Sequence, residues 1–70
     1  MPIVVLRHMK NGTFFRGKDD WTREPALAHN FVFLENAQQH AITYGLTDAD
    51  AVFMTADLTI THGTRLDFDI

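Results

Sequence analysis

The stretch Trp21–Leu46, WTREPALAHNFVFLENAQQHAITYGL, decides how the chain folds. It holds the only Trp and the only Tyr, and the one segment with clear helical periodicity. Leu34, Ala37, Ala41 and Tyr44 recur at steps of three and four, the spacing that lines one face of a helix. Gly45 marks the stop, since a left-handed terminal residue is free of the Cβ penalty when it is Gly. Leu46 follows where it can fold back on Ala41, the contact that accompanies such a stop. The start is unmarked, because no Ser, Thr, Asp or Asn stands immediately before Leu34.

Toward the N-terminus, Ile3–Lys10 and Thr13–Gly17 read as two strands separated by Asn11-Gly12, the strongest two-residue hairpin signal. That loop would pair Lys10 with Thr13, Met9 with Phe14, His8 with Phe15 and Arg7 with Arg16. Val4, Leu6, His8 and Phe15 then share one face, and Ile3, Val5, Arg7, Met9, Phe14 and Arg16 the other. Two arginines directly opposite repel, so the second face is expected to lie open and Val4, Leu6 and Phe15 to meet the helix. Gly17–Asp20 reads as a polar turn. Thr22 is placed to cap a short helical turn through Glu24, Pro25, Ala26 and Leu27, Pro being tolerated in a first turn.

Toward the C-terminus, Val52, Met54, Ala56, Leu58 and Ile60 alternate with mostly polar neighbours, as in a half-buried strand, while Phe53 faces the other way. Thr61-His62-Gly63 reads as a three-residue hairpin loop with Gly at the left-handed position. The expected pairs are Leu58 with Leu66, Ala56 with Phe68 and Met54 with Ile70, with Asp57 opposite Asp67. The plan is therefore a single α+β domain over residues 1–70. One helix packs on an antiparallel sheet of three to four strands in ββαββ order.

Composition narrows the function classes. The 70 residues include no Cys, so neither a disulfide nor a thiolate zinc site staples the fold. Oligomerisation is then a natural source of further buried surface. The apolar run Ile3–Leu6 is too short for a signal-peptide core or a membrane span, so a soluble, cytoplasmic chain without membrane contact is expected. The net charge of −3 divides into +2 over residues 1–30 and −5 over residues 31–70.

The sequence offers little for catalysis. His8, His29, His40 and His62 have no ligand-pair spacing. Asp57, Asp67 and Asp69, with Asp50, could offer oxygen ligands to a hard cation, but no tightly spaced acidic loop is present and a solvated acidic face is the plainer reading. Cys and Ser are both missing, no phosphate-cradling glycine loop occurs, and no catalytic residue, cofactor or metal site is assigned. The expectation is a non-enzymatic interaction module, a homodimer or partner of another protein, using Arg7, Met9, Phe14, Arg16 and Trp21. The alternative is a small nucleic-acid-binding accessory protein, with Arg7, Lys10, Arg16, Lys18 and Arg23 meeting phosphates and Phe14 and Trp21 stacking on bases.

Gly-Thr-Phe-Phe-Arg-Gly, then Trp21-Thr22, then Ala28-x-x-Phe31, then a helix with Ala37 and Ala41 resembles a layout of small uncharacterised bacterial and phage proteins. The likeness spans roughly residues 12 to 58. It implies a hairpin, a Trp, a short turn and a helix lying on the sheet. It implies no function, and no catalytic residue is carried over.

Overall fold

The computed structural model describes residues 3–17 and 19–66. One helix lies on a five-stranded antiparallel sheet, an α+β architecture. The strands are β1 (Ile3–His8), β2 (Thr13–Gly17), β3 (Asp20–Thr22), β4 (Ala49–Met54) and β5 (Ile60–Arg65), in the order β3-β2-β1-β4-β5. The helix α1 (Leu34–Thr43) crosses β1 and β4. The expected strand count was too low because β3, Asp20–Thr22, falls where the end of a polar turn and the cap of a short helical turn were expected. Three residues give alternation too little length to register.

β1 sits centrally because its run Val4-Val5-Leu6 is apolar on both faces, and all three side chains are buried. On the helix side Val4, Leu6, Phe15 and Ala51 pack with Phe31, Ala37 and Ala41. On the reverse side Val5, Phe14, Val52 and Met54 form a second cluster, flanked by Ile3, Ala28 and Leu58. The period-two partition of Val4, Leu6 and Phe15 against Val5 and Phe14 is thus the one the alternation predicts.

Register is another matter. Asn11-Gly12 does not form a two-residue turn; the pairs are Arg7 with Phe14 and His8 with Thr13, leaving Met9–Gly12 as a four-residue loop. Gly12 alone takes a left-handed φ of 69°, and its N–H donates to the His8 carbonyl at 2.8 Å. The cause lies on the other flank of β1. Every residue from Ile3 to His8 pairs with β4, and the Met9 N–H goes on to donate to the Asp48 carbonyl at 2.8 Å. Met9 is committed to that ladder and cannot also face Phe14. The shift moves Arg7 from Arg16 to Phe14 without changing faces, so the repulsion expected between two arginines does not arise.

The second hairpin is displaced too. Its loop is Ala56-Asp57-Leu58, not Thr61-His62-Gly63: the Leu58 N–H donates to the Thr55 carbonyl at 2.9 Å and the Thr55 N–H to the Thr59 carbonyl at 3.0 Å. Leu58, with φ of 67°, occupies the left-handed position where Gly is usual. Its side chain lies against the reverse-side cluster, which offsets the backbone cost. Asp57 is therefore a turn residue, accepting from the Thr55 hydroxyl and the Thr59 N–H; those bonds, led by Thr55, hold its carboxyl below the usual range. The expected partners Asp67, Phe68 and Ile70, like Asp69 and Lys18, lie outside the described residues.

Between β3 and α1 the chain makes a 3₁₀ turn, Pro25–Leu27, after the Thr22 hydroxyl accepts the Glu24 N–H at 3.1 Å. It then threads between the diverging ends of β1 and β2. The His29 N–H donates to the Phe15 carbonyl at 2.9 Å and the Phe31 N–H to the Val4 carbonyl at 2.8 Å. Asn30 Oδ1 accepts from the Val4 N–H at 3.0 Å and from the Val32 N–H at 2.9 Å. Val32 consequently sits at φ 71°, a strained setting for a β-branched residue.

α1 ends as its sequence predicts. Gly45 has φ 64°, the Leu46 N–H donates to Ala41 at 2.8 Å and the Gly45 N–H to Ile42 at 3.2 Å, the paired bonds of a Schellman stop. Tyr44 leaves the helical stripe because it is the cap residue, and it stays half exposed with its ring against His40.

Candidate functional site

The five residues expected at an interaction surface do not share one exposed face. Phe14 is only 6% exposed and belongs to the reverse-side core, whereas Met9 is 45% exposed at the hairpin tip. Trp21 packs on the opposite, helix-side cluster, with its ring T-shaped to His8 at 5.3 Å and to Phe15 at 5.6 Å. Arg16 is exposed and faces Asp20 at 3.6 Å. Five strands hold enough apolar surface to seal both faces of β1, so the hairpin has no free reverse side.

Arg7 shows how that side is closed. Its Nη2 donates to Asp50 Oδ2 at 2.7 Å and its Nε to Oδ1 at 3.2 Å, a two-pronged pair between directly opposed strand positions. Asp50 is 6% exposed, the only buried charged residue described. Gly63 lies over the pair: a Cβ there would stand 3.2 Å from Asp50 Oδ2 and 3.4 Å from Arg7 Nη2. Sequence reasoning assigned Gly63 to a turn, yet its φ is not left-handed and it leaves room for the ion pair.

Three of the five cations of the nucleic-acid reading face carboxylates, Lys10 and Arg16 in exposed pairs. Arg7 is bound to Asp50, Lys10 faces Asp48 at 3.6 Å and Arg16 faces Asp20. A phosphate would compete with carboxylates already in place, and the stacking residue Phe14 is buried.

The sheet's two outer strands are what remains accessible. β3 is three residues long, and its pairing with β2 is interrupted between Phe15 and Gly17. β5 is six residues long, and all but one are exposed. Its inner side pairs with β4, from Asp50–Arg65 to Met54–Ile60, with one irregularity between Phe53 and Met54. Among the described residues no strand covers its outer side. His62 stacks on Phe53 at 4.7 Å, which fixes the middle of the strand from the helix-side face. No alternation signal marks β5 in the sequence, because ITHGTR is mostly polar.

Among the described residues no group of three His, Asp or Glu side chains converges as metal ligands, and no helix is long and apolar enough to cross a membrane. Comparison with protein-family models, with curated proteins and with solved structures gave no match. The molecule is thus defined by its own geometry: a small α+β domain with one guarded and one open sheet edge.

Proposed function

We propose that the protein is a non-enzymatic interaction module that pairs with a second copy of itself through β5. The observation that carries this reading is a six-residue edge strand, exposed almost throughout, without Pro, whose irregularity at Thr61 and single charge at Arg65 leave His62–Thr64 between them unguarded. Unpaired strand backbone is a template for another strand, and proteins that avoid such pairing shorten, bulge or charge the edge.

A two-fold axis normal to the sheet keeps like faces together, as the pleat requires. Centred on Gly63, it sets His62 opposite Thr64 and Thr61 opposite Arg65, so no like charges meet. Both helices then lie on one side of a ten-stranded sheet. A contact of this size is at the low end for specific association, which fits a reversible dimer.

Amide hydrogen exchange tests the assignment. Raising the protein concentration from low to high micromolar should slow exchange in Ile60–Arg65 and leave β3 unchanged. Exchange in β5 that is independent of concentration would remove the dimer.

A further inference from the structure

We propose that the hollow bounded by Phe15, Asp19, Trp21, His40, Tyr44 and Leu46 binds an alkylated ammonium group. It is a partly open recess of about 120 Å³ beside the end of α1. Four ring systems surround it. Phe15 meets Trp21 edge-on at 5.6 Å and His40 at 4.8 Å, while Tyr44 leans on His40 at 4.5 Å. Aromatic faces carry negative quadrupole density and attract a cation that has little hydration to lose.

Among the described residues that bound it, the one charged side chain is acidic. Asp19 supplies a carboxylate and, among the described residues, has no ion-pair partner, whereas its neighbour Asp20 is taken up by Arg16. His40 adds no opposing charge. Its Nε2 is buried without a hydrogen-bond partner, so a second ring proton would leave a buried N–H unpaired. Burial, and then the charge of His29, lower its pKa in agreement. A hydrated metal ion or a primary amine would need more oxygen ligands than one carboxylate provides, while methyl groups fit the apolar walls.

Two sources share this chemistry: a free quaternary ammonium compound and a methylated lysine side chain. Trp21 is the only Trp and also borders a second hollow with His8 and Asp48, so its fluorescence reports on both and the Asp19 and Tyr44 variants below tell them apart. Titration with choline chloride should give a saturable change with millimolar affinity. The uncharged isostere 3,3-dimethylbutan-1-ol should bind at least about fivefold more weakly.

Asp19→Asn keeps the backbone, since Asn tolerates the φ of 59° found there, and should weaken choline severalfold. Tyr44→Ala, at an exposed position, should do the same without disturbing the amide spectrum. A trimethyl-lysine peptide binding more tightly than both choline and its unmodified counterpart would identify a protein-borne ligand. Equal binding of choline and the trimethylated peptide would identify a free cation. Absence of saturation, equal binding of choline and the alcohol, or an Asp19→Asn protein with unchanged affinity would overturn the site.

Discussion

β3 and β5 finish the sheet in different ways. β3 is short, is joined to β2 by an interrupted ladder, and carries the Arg16–Asp20 pair at its start, three devices that discourage a further strand. β5 is twice as long, and its one ladder irregularity, at Thr61, and its one charge, Arg65, lie toward its two ends. Its support lies underneath, where Asp50 is opposed by Arg7 in β1 and by Arg65 in β5 and where Gly63 makes room for the Arg7 guanidinium. One edge is protected by its own irregularity. The other is backed by a part-buried ion pair in the strands beside it, and it leaves a longer run of backbone open.

The largest effect expected comes from removing the core that β2, next to the guarded edge, shares with β1. Phe14→Ala empties a sealed position and should cost about 3–4 kcal/mol in urea unfolding. A cost below about 1 kcal/mol would mean that Phe14 faces solvent after all. Next comes the support of the open edge. Asp50→Ala leaves the Arg7 guanidinium, two-thirds shielded, without its partner and should cost about 2–3 kcal/mol. Amide exchange in β5 should accelerate more than in β3. Gly63→Ala presses a methyl on the same pair and should cost about 1 kcal/mol, mostly lost from β5.

A smaller effect separates the edges by pH. Burial first, and His29 second, hold His40 below its ordinary 6.5, so the unfolded chain binds the proton more readily. Stability is full above about 6.5 and falls as the pH drops through that value toward the folded pKa. The urea midpoint should follow this course in the native protein and flatten in His40→Phe. Because His40 lies near β2 and β3, exchange in β5 should respond least.

How far the sequence revealed this arrangement varies with the kind of signal. Faces were legible, since alternation at Val4, Val5, Leu6, Phe14 and Phe15 depends only on strand parity. The helix stop at Gly45 was legible because its chemistry is local. Both hairpin registers were misread for one reason: each was taken from a glycine. Asn11-Gly12 is overruled by the β1–β4 ladder, a contact between distant parts of the chain. At the second loop the left-handed residue is Leu58, stabilised by tertiary packing, while Gly63 serves the space above Asp50. The proposed edge escaped notice because the middle of its strand, Thr61-His62-Gly63, was read as a turn.

The most direct test is sedimentation equilibrium on the native chain and on two variants at Thr61, an exposed residue that the proposed pairing would set opposite Arg65 of a second copy. Thr61→Glu adds an attractive partner for that arginine and Thr61→Lys a repulsive one, each twice per dimer. Reversible dimers are expected, with affinity falling from Thr61→Glu through the native protein to Thr61→Lys. A strict monomer at high micromolar concentration, or dimers indifferent to the charge at Thr61, would contradict the proposed pairing.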